Sequence, residues 1–187
     1  LGTIELTIAL HRIFDHTKDT IIFDTGHQGY THKILTGRAD QFATLNTLGG
    51  MSRFLSRSES PHDAIEASHA GTSISMGLGI ALAKRLRGDK SRTVVVIGDG
   101  SLAEGMALEG LNHALVEKCG LIILVNYNGY AISPGFGELH NRLSNVSEFD
   151  TIDGHDLEDM CDAFSSAQVG DRRTRVYVVM ADRKSVV

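Results

Sequence analysis

The chain has 187 residues, of which 42% are hydrophobic and 22% charged, and it carries a formal net charge of −5. That length suits one domain with a sizeable buried core, and the composition is that of a globular protein rather than a disordered or fibrous one. The Lys and Arg residues are scattered rather than striped, and no apolar run reaches the roughly 18 residues of a membrane span, so neither nucleic acid nor membrane is an expected partner.

Leu1 to Phe14 carries apolar residues at helical spacing. The chain opens inside that pattern, so an upstream segment and any targeting peptide are expected to lie outside it. Thr20 to Asp24 reads as a short buried strand, Gly26 to Tyr30 as a loop, and His32 to Thr36 as the start of a short helix. Gly49-Gly50 and Ser56 to Asp63 are polar loop. Ala70 to Arg87 is helical, Arg92 to Ile97 a strand, Leu102 to Lys118 a helix and Leu121 to Asn126 a strand. Asp156 to Ala167 is another helix, and Arg175 to Met180 a last strand. Strands separated by helices predict an α/β fold, a mostly parallel sheet with helices on both faces, in one domain over 1–187. Cys119 and Cys161 form no CxxC pair and read as reduced, mostly buried thiols, which suits the cytoplasm.

Such sheets bind ligands beyond the carboxyl ends of their strands, where Asp99 and Asn128 fall. Gly98 and Gly100 let the backbone approach an anion, and the helix expected after Ser101 would offer free N–H groups and a positive dipole end. A carboxylate, an amide oxygen and phosphate oxygens are hard ligands that suit magnesium. The stretch therefore reads as a site for a magnesium diphosphate, with a simple tight turn at Gly98-Asp99-Gly100 as the plain alternative.

Gly98-Asp99-Gly100 followed by Asn126-Tyr127-Asn128 resembles the thiamine diphosphate motif. Longer runs resemble one branch of that superfamily, the 1-deoxy-D-xylulose-5-phosphate synthases: LGTIELTIALHRIFD from Leu1, DTGHQGYTHKILTGR from Asp24, SRSESPHDAIEASHAGTSISMGLGIA from Ser56, GDGSLAEGMALEGLNHA from Gly98 and IDGHD from Ile152. The resemblance implies the diphosphate-binding half of the thiamine diphosphate fold, with thiamine diphosphate and Mg2+ as cofactors. It implies Asp99, the Asn128 side chain and the Tyr130 backbone carbonyl as metal ligands, with Gly98, Gly100, Ser101 and Asn128 at the diphosphate. His27 would bind the cofactor and take part in catalysis, Ser68, His69 and Ala70 would contact the cofactor, and His155 would be catalytic at the substrate channel.

The activity implied is condensation of pyruvate with glyceraldehyde 3-phosphate, with loss of carbon dioxide, toward isoprenoid precursors, thiamine and pyridoxal. A second reading is a subunit of a two-component transketolase-like enzyme that moves a ketol unit between sugars, and a third is a non-catalytic cofactor-binding scaffold. The first two need a pyrimidine-binding domain or subunit, which carries the activating glutamate, in a homo-oligomer or hetero-oligomer. The chain departs from the family at Tyr127 and Gly129, which stand where carboxylates are usual, and at Glu104, which is more transketolase-like; an internal insertion before Ile152 is also absent. Lys33 and Arg38 read as solvated structural cations, with attraction of a phosphate as the other reading. His11, His62, His113 and His140 read as surface or structural residues.

Overall fold

The structure, a computed structural model, describes residues 2–66, 69–145 and 147–181; Ser68, expected at the cofactor, lies outside the described residues. Helix α1 (Ile4–Ile13) buries Leu6, Ala9 and Leu10, the i, i+3, i+4 spacing of an amphipathic helix. Strand β1 (Thr20–Phe23) follows. The expected loop at Gly26 is instead a single 3-10 turn (Gly26–Gly29) that runs into the short helix α2 (Tyr30–Lys33) and then a wide turn (Ile34–Arg38), where Gly37 takes φ +88°. The long helix α3 (Ser73–Leu86) leads to β2 (Thr93–Gly98).

The helix expected over Leu102 to Lys118 is broken. One turn, α4 (Asp99–Leu102), is separated from α5 (Gly105–Val116) because Glu104 has extended backbone, φ −73° and ψ 142°. The long helix thus starts several residues beyond the Gly-Asp-Gly turn, and its positive end does not rise directly from Ser101. Strand β3 (Leu121–Tyr127) is buried at every position. A two-residue hairpin, β4 (Tyr130–Ala131) and β5 (Ser133–Pro134), comes next, then α6 (Glu138–Leu143), β6 (Asp150–Asp153), α7 (Leu157–Val169) and β7 (Arg175–Met180). Asp156 caps α7, its side chain accepting from the N–H groups of Glu158 and Asp159.

The main sheet has the order β1-β2-β3-β7-β6, and all its pairings are parallel. Alternate residues of the strands face opposite layers. Val94, Val96, Ile122 and Leu124 pack with α1 and α7, while Val95, Ile97, Leu121 and Ile123 pack with α3 and α5. Both faces are covered, so the central strands are nearly continuous apolar runs. The order advances from β1 to β3, jumps to the edge strand β6 and returns to β7. That reversal opens a crevice at the carboxyl ends of β3 and β7, the usual place for a ligand in such sheets.

Candidate functional site

At the carboxyl ends of β1, β2 and β3 lies a cavity of about 430 Å³, lined by His27, Gly98, Asp99, Gly100, Ser101, Asn128 and Tyr130 together with Thr25, Gln28, Glu104 and Asn126. Seven of the expected site residues therefore share one space. Asp99 is 9% exposed. Its Oδ1 accepts from the Gly100 N–H at 3.0 Å and its Oδ2 from the Gly129 N–H at 2.9 Å. Burial pushes the Asp99 carboxyl above the ordinary carboxylate range, and the backbone donors pull the other way without cancelling it.

The turn after β3 explains one departure from the family. Gly129 has φ +75°, a region a side chain resists, and this bend delivers its N–H to Asp99. Asn128 Oδ1 accepts from the Tyr130 N–H at 2.9 Å, so the amide also braces its own turn. Tyr127 points to the other side, its hydroxyl 3.2 Å from His140 Nε2. Gly100 is needed for packing, since a Cβ there would collide with Ala131 of the hairpin.

His27 stands on the 3-10 turn after β1 and is exposed at the rim. Desolvation and then nearby positive charge, including Arg53, hold its imidazole below the ordinary value. The turn can sit so low because it has glycines: a Cβ on Gly26 would strike Phe54, and one on Gly29 would reach Leu55 at 2.9 Å. His155 lines a neighbouring cavity of about 600 Å³ at the ends of β3, β6 and β7, and Asn128 borders both. His69 and Ala70 line neither cavity, and the His69 ring turns onto the Ala70 carbonyl at 2.7 Å.

Lys33 and Arg38 belong to the framework, but buried rather than solvated. Lys33 is 0% exposed and donates to Ser52 O at 2.7 Å and Glu59 Oε1 at 2.6 Å. Arg38 makes a two-pronged pair with Asp63 at 2.7 and 2.8 Å and reaches Glu59 at 2.9 Å. Burial raises the Asp63 carboxyl, but contacts with His32, Arg38 and the Ser56 N–H outweigh it and hold it well below the usual range. These pairs fasten the polar loop 52–63 to the segment that carries His27. Gln28 and Asn126 were missed as site residues. Both are nearly buried, with Gln28 Oε1 and Asn126 Oδ1 lacking partners; Asn126 had the signal of a polar residue closing an apolar strand, whereas Gln28 stands on the turn after β1 and had none.

Comparison with known proteins gives one answer. The family described as 1-deoxy-D-xylulose-5-phosphate synthase matches residues 1–151. The chain is 53% identical over 151 residues to 1-deoxy-D-xylulose-5-phosphate synthase 2 of Geobacter sulfurreducens, covering 80% of this chain and 24% of that protein. It is 56% identical over 146 residues to the 1-deoxy-D-xylulose-5-phosphate synthase of Thermotoga maritima, covering 78% of this chain and 24% of that protein. The chain thus spans about a quarter of the length of these curated relatives.

Proposed function

The chain belongs to the 1-deoxy-D-xylulose-5-phosphate synthase family, and from that premise we propose that it is the diphosphate-binding half of a thiamine diphosphate- and magnesium-dependent transferase that condenses pyruvate with glyceraldehyde 3-phosphate, releasing carbon dioxide. One observation carries the reading: Asp99 is a buried carboxylate that forms no ion pair among the described residues, and it borders a cavity of about 430 Å³ walled by Gly98 and Gly100. Burial pushes this carboxyl upward despite its two N–H donors, and a cation entering the cavity would offset that cost.

The donors present fit magnesium held on a diphosphate. One carboxylate and one amide carbonyl are hard oxygen donors, and magnesium takes few protein ligands when phosphates supply the rest. Asp99 and the Asn128 side chain would hold the ion, with the Tyr130 carbonyl as a third ligand, while Gly98, Gly100 and Ser101 would face the diphosphate.

When bound, thiamine diphosphate supplies a carbanion equivalent at a carbonyl carbon. The residues of the chain position the substrate and handle protons. His27, with its imidazole held below the ordinary value, is neutral near pH 7 and suited to accept a proton from a substrate hydroxyl at the rim. His155 stands beyond Asn128, suited to the far end of the substrate, and His69 and Ala70 would contact the cofactor from the α3 side. A pyrimidine-binding domain or subunit would complete the site with its activating glutamate in an oligomer. The free thiols of Cys119 and Cys161 fit a reducing cytoplasm, and the product would feed isoprenoid, thiamine and pyridoxal synthesis.

Calorimetric titration of magnesium thiamine diphosphate into the chain and into Asp99→Ala tests the reading. The variant is expected to keep its fold and lose magnesium-dependent binding. Equal affinity in both proteins would overturn it.

A further inference from the structure

Asp24 follows the last residue of β1 and is 1% exposed, yet it forms no ion pair among the described residues. Its backbone N–H donates to Val96 O at 2.8 Å, which ties the residue to the neighbouring strand. Its carboxylate reaches across to a segment far along the chain. Oδ2 accepts from the Gly71 N–H at 2.9 Å and Oδ1 from the Ser73 N–H at 3.1 Å, partners 47 and 49 residues away. Ser73 opens α3, so both oxygens meet the positive end of a 14-residue helix, and that offsets the desolvation of a buried charge.

These contacts decide more than packing. Gly71 has φ +79°, and a Cβ there would lie 2.9 Å from Glu104 Oε2, so the loop bends against a residue that lines the cavity. On its other side Asp24 is followed directly by Thr25, another lining residue, and then by the turn bearing His27. One carboxylate thus ties the strand that leads into the His27 turn to the loop that ends at Gly71, and that loop in turn packs against Glu104. The carboxylate also engages the N–H groups of Gly71 and Ser73 and places negative charge there, which disfavours an anion at that helix end and leaves the Gly98–Ser101 turn as the place for a diphosphate.

We propose that Asp24 is a positioning residue for cofactor binding, whose carboxylate fixes the His69–Gly71 loop at one spacing from the His27 turn. The inference rests on the thiamine diphosphate reading. Asp24→Asn keeps the shape but loses the charge and one acceptor, and Asp24→Ala removes both. Three quantities are measured on the full chain at 25 °C: the melting midpoint, amide hydrogen exchange at Gly71 and Ser73, and affinity for magnesium thiamine diphosphate. Loss of a hydrogen bond to a charged group predicts exchange about tenfold faster and affinity about tenfold weaker in Asp24→Asn, with larger changes in Asp24→Ala, while both variants remain folded. Exchange at Asp24 itself, whose N–H belongs to the sheet, is expected to stay unchanged in Asp24→Asn. Wild-type affinity in a variant whose Gly71 and Ser73 exchange freely would overturn the positioning role and leave the cofactor reading standing. Failure of the wild-type chain to bind the cofactor would overturn the cofactor reading, and the positioning role with it.

Discussion

Four histidines, His11, His16, His32 and the loop residue His62, lie close together, and their titration gives the fold a pH limit. His11 Nε2 lies 2.9 Å from His32 Nδ1, the His11 ring is 4.9 Å from that of His16, and the His16 ring is 4.8 Å from that of His62. Desolvation first, then repulsion from the other three imidazoles, lowers the His11 pKa from 6.5 to about 4. Between those values the unfolded chain binds a proton that the folded chain refuses. The His11 contribution is therefore complete above pH 6.5 and is lost as pH falls through about 4. At about 1.4 kcal/mol per pH unit the full effect is about 3 kcal/mol, and solvent screening of the half-buried ring reduces it to about 1–2 kcal/mol. The direction holds with the surrounding charges in view: Asp63 pairs with Arg38 and lies 3.4 Å from His32 rather than against His11, and Lys33 and Glu59 pair with each other. Urea unfolding at about pH 7 and about pH 4.5, on the wild type and on His11→Gln, measures the effect. The wild type should lose about 1–2 kcal/mol more than the variant over that interval. Equal losses would refute the reasoning.

Asp63→Ala removes the two-pronged partner of the buried Arg38 guanidinium, leaving it Glu59, which Lys33 also engages, and should destabilise the fold by about 3 kcal/mol in denaturant unfolding, where a loss below about 1 kcal/mol would show that the pair is dispensable. His27→Ala in the completed enzyme should lower turnover by about 10²–10⁴ with little change in melting midpoint, and a loss fully explained by unfolding would remove His27 from catalysis. Gly100→Ala should cost about 1–3 kcal/mol through its collision with Ala131, and adding Ala131→Gly should restore most of that stability. If Gly100 also lets a diphosphate approach, the double variant regains stability but not affinity, and full recovery of both would assign Gly100 to packing alone.

The fold was legible wherever burial on both faces writes a continuous apolar run. Val94 to Ile97 and Leu121 to Val125 could be little else than central strands. Strand β6 was not legible, because Asp150–Asp153 is a short edge strand with only Ile152 buried, too little pattern to separate from a loop. The break at Glu104 was hidden because the residues on either side keep helical periodicity and only the backbone of one residue departs. At the site, glycine and acid side by side at a strand end announced Asp99. Asp24 carries the same kind of signal, but its meaning depends on partners 47 and 49 residues away that no local pattern connects. Lys33 and Arg38 were visible as cations, whereas their burial depended on Glu59 and Asp63 folding back from a stretch whose polarity suggested solvent.

The two sets of buried charge are handled in opposite ways, and the contrast separates scaffold from site. Lys33, Arg38, Glu59 and Asp63 neutralise one another within the fold, so their contribution is present without any ligand. Asp24 is offset by a helix end and two N–H groups, again from within. Asp99 also accepts from two N–H groups, but it borders the open cavity and burial pushes its carboxyl upward. A cation arriving with a diphosphate would relieve that destabilisation in the folded state and has no comparable site in the unfolded chain. Such binding would be coupled to stability, by about 2.7 kcal/mol at a ligand concentration a hundredfold above the dissociation constant. On that reading the cavity around Asp99 would gain stability from its ligand, whereas the loop 52–63, though longer and less regular, is held by the chain itself.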